Sequence, residues 1–505
     1  MGRDFYLVTS SFEYFPGVPI FHSRDLVHWR QLGHVLSRKS QLELTGIGSS
    51  RGIYAPTLRH HRGRFYLVTT LIDGGGNFLV TARRPEGPWS EPKWLNQGGF
   101  DPSLTFADGR AYYLCDGKGR DASHPEIQQA EFEPQSGKRK GKLRSIWAGT
   151  GGIWPEGAHL FARDGWFYLL AAEGGTSYGH SEVAARSRSP FGPFEPAPNN
   201  PILTHRERRT HPIQATGHAD LVELDDGSSW VVFLGVRPVA PRRHHLGRET
   251  FLAPVTWSAD GWPTIGRAGQ VELRMRAPAL APHPFPPAPK RDDFAAAKLD
   301  PAWMFLRNPE PQSWSLRARP GYLRLRGNAA SLAELGSPAF VGRVQPQFGA
   351  RCRARLEFEP RGADEAGLVV RANENFHYAL AVQAARGGRS ISLVRRRAGK
   401  SRTVAKLALA DGPVTLELVA TRQSYTFFVT AGSRRRRLGA LPTLGLAAET
   451  IDPSGGRYFT GAVLALYATG NGRPAEAPAD FAWFELETRR PSASDTRTHH
   501  RRAHR

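Results

Sequence analysis

A polar turn running straight into an aromatic-rich strand occurs five times in the first half of this chain, and no other feature narrows the fold so far. The units are Gly2-Arg-Asp-Phe-Tyr-Leu-Val8, Arg62-Gly-Arg-Phe-Tyr-Leu-Val68, Asp108-Gly-Arg-Ala-Tyr-Tyr-Leu114, Asp164-Gly-Trp-Phe-Tyr-Leu-Leu170 and Asp226-Gly-Ser-Ser-Trp-Val-Val-Phe233. Each reads as a hairpin turn leading into a β-branched and aromatic strand. Five such units, spaced by roughly fifty to sixty residues, predict an all-β, five-bladed β-propeller.

Four of the five units carry a second element about ten residues earlier: Ala55-Pro-Thr-Leu58, Asp101-Pro-Ser-Leu104, Glu156-Gly-Ala-His-Leu160 and Gly217-His-Ala-Asp-Leu221. These are expected to be the innermost strands, which would bring Asp101, Glu156 and His218 together at the central channel. Polar groups converging from separate blades are how a propeller builds a site. The first unit has no such strand, because Met1 stands too close to Phe5-Tyr6. The repeat therefore predicts an incomplete first blade, and an inner strand with its own polar residue upstream.

Glu156 lies between Pro155 and Gly157, next to Trp154. Proline and glycine fix the backbone there, and the indole could desolvate the carboxyl. Desolvation raises a carboxyl pKa, as a general acid working near neutral pH requires. Taken alone the same stretch reads as a turn glutamate facing water, and Asp101 as a turn residue before Pro102. Gly74-Gly-Gly-Asn77 lacks the lysine and helix of a phosphate-binding loop and reads as a hairpin. The adjacent pairs His60-His61 and His244-His245 suit surface loops better than a metal site.

From Ala277 to Lys290 the chain is proline-rich, which marks a linker. Beyond it, segments such as Gly367-Leu-Val-Val-Arg371 and Thr415-Leu-Glu-Leu-Val419 read as strands of a sandwich. The expected organisation is a propeller over 1–276, a linker over 277–291, a β-sandwich over 292–488 and a disordered basic tail over 489–505. The formal charge of +22 first suggests nucleic acid, but the basic residues are scattered and no nucleic-acid-binding signature accompanies them. It reads as an arginine-rich solvated surface, with salt-sensitive polyanion binding through the tail as a side reading. Two distant cysteines give no disulfide framework or thiolate metal site. With no apolar run long enough to span a bilayer and no signal-peptide pattern after Met1, a cytoplasmic location is expected, and an absent N-terminus would leave export open.

These residues resemble those of glycoside hydrolase family 43, in its β-xylosidase and α-L-arabinofuranosidase branch. The resemblance is carried by Gly98-Gly-Phe-Asp-Pro-Ser-Leu104, Thr150-Gly-Gly-Ile-Trp-Pro-Glu-Gly157, Gly217-His-Ala-Asp-Leu221 and Leu246-Gly-Arg-Glu-Thr250, in that order, with Ser10 to Ile20 and His22 to Trp29 before them. It implies an inverting, exo-acting hydrolase of xylo- or arabino-oligosaccharides, followed by a concanavalin-like β-sandwich. Position by position it implies that Glu156 is the proton donor and that Asp101 tunes its pKa and helps orient the sugar. Arg248 would contact sugar hydroxyls, Phe12 and Tyr54 would wall the subsite, and Phe459 would be lent by the sandwich to close it. His218 falls on the channel histidine that holds a water or a metal ion in some members. No cofactor is required on this reading, a structural calcium near His218 being the one ion it raises. The resemblance places the general base on an aspartate upstream of Met1. The alternative is a carbohydrate-binding propeller–sandwich without turnover. No membrane or specific nucleic-acid partner is implied, and oligomeric state is unreadable.

Overall fold

In the computed structural model, which describes residues 2–95, 98–121, 123–454 and 458–488, the last four repeated turns each close a hairpin between the first two strands of an antiparallel blade. Thr57–His61 pairs with Arg64–Ile72, Ser103–Ala107 with Arg110–Asp121, Glu156–Arg163 with Trp166–Glu173, and Gln214–Glu223 with Ser229–Val236. Gly76–Ala82, His124–Glu133, Ser181–Ser187 and Glu249–Trp257 continue the four sheets outward. The first blade has three strands, in the order Phe5–Val8, Gly17–Ser23, Arg30–Leu36. Tyr6 to Val8 line the central cavity, and among the described residues Phe5–Val8 pairs only with Gly17–Ser23.

Alternation along the aromatic strands sends neighbouring side chains to opposite faces of a blade, so each blade feeds two interfaces. Tyr112 and Leu114 pack towards the fourth blade with Leu160 and Leu169, while Tyr113 and Cys115 pack towards the second with Tyr66 and Val68. Burying side chains of this size contributes about 1.5–3 kcal/mol each. Leu26, Leu224 and Trp230, with Phe5 and Trp29 against them, join the fifth blade to the first and close the ring. Across the inner strands, the Thr57 hydroxyl donates to Pro102 O (3.0 Å) and the Thr105 hydroxyl to Leu160 O (2.7 Å).

After Pro263–Ile265 the next strand is Arg291–Asp292, which belongs to the second domain. That domain is two facing antiparallel sheets, of eight and six strands. Their inner faces meet in one core that includes Leu368, Leu380, Leu416, Phe427 and Phe481. The basic tail proposed over 489–505 lies outside the described residues.

The two domains are stitched together. Tyr14–Phe15 of the propeller pairs with Phe305–Leu306 of the sandwich. Behind that pairing lie Glu13, Arg307 and Arg371, each with no exposed surface. A guanidinium nitrogen of Arg371 stands 3.7 Å from the Glu13 carboxylate. His244-His245 departs from the expectation of a surface loop, and His60-His61 lies at the surface but on a strand. His60 and His61 end a strand, and His61 stacks on Phe106 at 4.2 Å. His244 and His245 are buried, and His244 Nδ1 lies 2.8 Å from Glu449 of the sandwich. Contacts with the sandwich, Glu449 for His244 and the rings of Phe348 and Tyr425 for His245, hide this pair, which local polarity does not reveal.

Candidate active site

At the mouth of the channel a cavity of about 1000 Å³ opens between the propeller and the sandwich, and all seven residues singled out from the sequence line it. Asp101, Glu156 and His218 are gathered most tightly: one ligand atom of each lies within 4.8 Å of the other two. They arrive from three blades: Asp101 just ahead of Ser103–Ala107, Glu156 as the first residue of its strand, and His218 within Gln214–Glu223. Long sequence separation is bridged here only by blade packing.

Asp101 takes φ +47°, a left-handed conformation that aspartate tolerates better than most residues. The Ala55 amide donates to its Oδ1 at 3.2 Å, and its own amide donates to the Thr70 hydroxyl at 3.2 Å. Glu156 begins its strand opposite Ala172, and the register slips before His159. That bulge turns the carboxyl out of the ladder and into the cavity. No hydrogen bond to this carboxyl is formed among the described residues. Glu156 is 8 % exposed, and Trp154, 39 % exposed, lines the same cavity.

Burial holds the Glu156 carboxyl well above the usual carboxylate range, and the negative charges of Asp101 and Asp116 push it further, against the pull of Arg248. Asp101 is raised too, by burial, and held back by Arg248 and the Ala55 amide. Two carboxyls this close cannot both ionise cheaply, so one proton resides between them. His218 is pushed down to about 4 by burial and by Arg248, so its ring is neutral at neutral pH. The Ala219 amide donates to buried Glu182 at 3.0 Å, which fixes the strand on which His218 sits.

Arg248 lies over the rings of Phe459 (4.7 Å) and Phe12 (5.1 Å) and makes no hydrogen bond or ion pair among the described residues. Its donors are therefore available to the cavity. Phe12, Tyr54 and Phe459 form a three-ring wall with centroids 5.8–6.0 Å apart. Phe459 comes from the sandwich, and its amide donates to the Ser50 hydroxyl of the propeller at 2.9 Å. Two further carboxylates line the cavity, each gripped by an arginine: Asp220 by Arg59, and Glu249 by Arg237.

Asp116 escaped the sequence reading. It is 4 % exposed on the strand Arg110–Asp121, accepts the amide of Phe100 beside Asp101, and is pushed up to about 7 by burial. A charged residue closing the run Ala-Tyr-Tyr-Leu-Cys was its only signal. Calcium takes six to eight oxygen ligands. Two carboxylates, one sharing a proton, and one imidazole beside an arginine do not fit that ion as its direct ligands.

The family described as "Glycosyl hydrolases family 43" matches residues 1–263, and "Beta xylosidase C-terminal Concanavalin A-like domain" matches residues 291–487. The chain is 45 % identical over 494 residues to a non-reducing end alpha-L-arabinofuranosidase of Bacteroides ovatus, covering 96 % of this chain and 91 % of that one. It is 37 % identical over 502 residues to a xylosidase/arabinosidase of Butyrivibrio fibrisolvens, covering 96 % of each. Among solved structures, the Bacteroides ovatus protein titled "Xyloglucan PUL GH43B" superposes with a TM-score of 0.93 at 43 % identity, covering 97 % of this chain and 96 % of that one. A xylan beta-1,4-xylosidase from Bacillus halodurans superposes with a TM-score of 0.91 at 34 % identity, covering 96 % of each. A five-bladed propeller with a concanavalin-like sandwich, carrying two coupled carboxyls in its mouth, is accounted for by one family, and this chain belongs to glycoside hydrolase family 43 as an inverting glycosidase.

Proposed function

We propose that the protein removes single xylose or arabinofuranose residues from the non-reducing ends of hemicellulose-type oligosaccharides. The observation that carries this reading is a proton-holding Glu156 beside Asp101, in a pocket with an aromatic wall and an unpartnered arginine. The names of the relatives, which act on xylosides and arabinofuranosides, support the sugar class.

In this reading Glu156 is the general acid and gives its proton to the departing glycosidic oxygen. Asp101 keeps that proton on Glu156 at neutral pH by its charge and accepts hydrogen bonds from sugar hydroxyls. Arg248 donates to hydroxyls on the opposite edge of the sugar. Phe12, Tyr54 and Phe459 cover the apolar ring face, excluding water and strengthening each polar contact. Neutral His218 packs beneath the acid and fixes its approach. An inverting acid and base stand about 6.5–9.5 Å apart, to leave room for the attacking water. Asp101 is too close to Glu156 for that, since their ligand atoms lie within 4.8 Å. Its role is therefore tuning rather than activating water.

The test is hydrolysis of 4-nitrophenyl β-xyloside and 4-nitrophenyl α-L-arabinofuranoside, with the product anomer followed by NMR. Inverted pentose is expected from at least one of them. Absence of turnover on both would overturn the sugar assignment.

A further inference from the structure

Two basic segments that are separate in the sequence meet at one edge of the sandwich. Lys400–Leu409 ends the six-stranded sheet, Arg434–Pro442 ends the eight-stranded one, and the two strands lie side by side. Gly388–Arg397 pairs antiparallel with Lys400–Leu409, which sets Arg395 directly opposite Arg402 and Arg397 directly opposite Lys400. Residues two apart share a face of a strand, so these four cations stand together on one side of the hairpin. The rectangle they mark is about 5 Å across each pair and about 7 Å along the strand.

Like charges directly opposite each other destabilise a strand pair. No carboxylate offsets them here. The side chains of Arg395, Arg397, Lys400 and Arg402, and of Arg434 and Arg436 on the facing strand, make no hydrogen bond or ion pair among the described residues. All but the half-buried Arg395 are exposed. Arg435, by contrast, donates to Glu417 at 2.8 Å. Cations on an edge strand discourage edge-to-edge pairing. That does not account for Arg395 and Arg397, which lie on the strand inside the edge.

The hairpin is fixed relative to the pocket. Arg396 Nε donates to Glu374 O at 2.7 Å, and the Ser49 hydroxyl of the propeller donates to the Glu374 carboxylate at 2.8 Å. Ser49 adjoins Ser50, which holds Phe459 in the pocket wall. A guanidinium matches a carboxylate through two parallel hydrogen bonds, and a carboxylate seated between opposed cations cancels their repulsion. None of the three strands carries an aromatic residue, so they offer no platform on which nucleobases stack.

We propose that this cluster is a docking surface for acidic polysaccharide, which it holds by the carboxylates of uronic acid units. This rests on the glycosidase function proposed for the pocket, which makes a polysaccharide the polyanion that the protein meets.

The test measures binding of the full chain to glucuronoxylan, and to the same polymer with its carboxyl groups reduced to alcohols, by affinity electrophoresis. The acidic polymer is expected to bind about tenfold tighter at about 50 mM salt, with the preference fading towards about 200 mM. Arg397→Gln/Lys400→Gln/Arg402→Gln should lose that preference and keep wild-type rates on the aryl glycosides. Its Tm should not fall, because the substitutions relieve like-charge repulsion; a lower Tm would show that the fold itself satisfies these cations, and overturns the proposal. Arg83→Gln/Arg84→Gln/Lys142→Gln removes the same charge from exposed positions of the propeller and should keep the preference. Equal losses in the two variants would make binding a matter of net charge and overturn the docking surface, as would a hairpin variant that binds like the wild type. Duplex DNA bound as tightly as glucuronoxylan, and released by the hairpin substitutions alone, would overturn the choice of polysaccharide. Failure of the glycosidase reading shows separately, as absent turnover with this binding intact.

Discussion

The imidazole of His218 occupies the space in which a side chain at position 157 would begin. A Cβ built on Gly157, at φ +59°, would lie 2.0 Å from Nε2 of His218. The glycine after Glu156 is thus required twice, by its backbone conformation and by its neighbour. Gly157→Ala is expected to push the ring aside and mis-aim Glu156. It should lower kcat by more than tenfold, since misplacement of about 1 Å can cost 10²-fold. A variant with wild-type kcat would remove His218 from the positioning of the acid.

Glu156→Gln keeps the shape of the side chain and removes its proton. On a xyloside with a sugar leaving group, kcat is expected to fall by about 10²–10⁴-fold, the usual contribution of a general acid. An activated aryl leaving group needs less protonation and should suffer less. Equal losses on both substrates would argue that Glu156 does something other than donate a proton.

Asp116→Asn separates charge from geometry, because the amide oxygen still accepts the Phe100 amide. Burial, Asp101 and Asp116 all raise Glu156. A general acid works only while protonated, so activity is lost as pH rises through its pKa. Removing one negative neighbour lowers that pKa. The basic limb of the kcat/KM profile should therefore move to lower pH in Asp116→Asn, with the plateau nearly kept. The effect on the basic side is reinforced because Asp116 is itself pushed up to about 7 and carries its charge mainly above that. An unmoved basic limb would confine Asp116 to a structural role.

Arg248→Ala removes donors that have no other partner among the described residues. Hydrogen bonds to a charged group contribute about 1.5–3 kcal/mol, so kcat/KM should fall by roughly ten- to a hundredfold, chiefly through KM. Arg248→Lys should recover only part of this, because one ammonium cannot reproduce the planar fork. A kcat/KM within about twofold of wild type in Arg248→Ala would remove sugar contact from its role.

Glu13 joins pocket and interface. Its carboxylate accepts the Ser50 amide at 2.9 Å, and the Ser50 hydroxyl accepts the Phe459 amide at 2.9 Å. Glu13→Ala leaves Arg371 buried opposite a void, which costs about 3–5 kcal/mol for a broken buried pair. Denaturant unfolding should show that loss, and Phe459 should lose its fixed place in the pocket wall. A midpoint unchanged from wild type would show that Arg371 is satisfied by other partners.

The propeller was legible because a blade is a local object: turn, aromatic strand and period-two alternation all lie within about sixty residues. Asp101, Glu156 and His218 were legible for the same reason, since the repeat puts each on or just before an inner strand and the axis does the rest. Arg248 and the ring wall of Phe12, Tyr54 and Phe459 came from resemblance, and the structure brings them to one cavity. Local polarity misread His244 and His245, which are buried. What only the tertiary structure decided is which carboxyl keeps a proton, how the charge of Asp116 reaches that proton, and how Glu13 and Ser50 hold a phenylalanine more than four hundred residues away. All three depend on removing water between segments far apart in the chain. Desolvation is a property of what packs against a group, and no stretch of sequence around the group contains it.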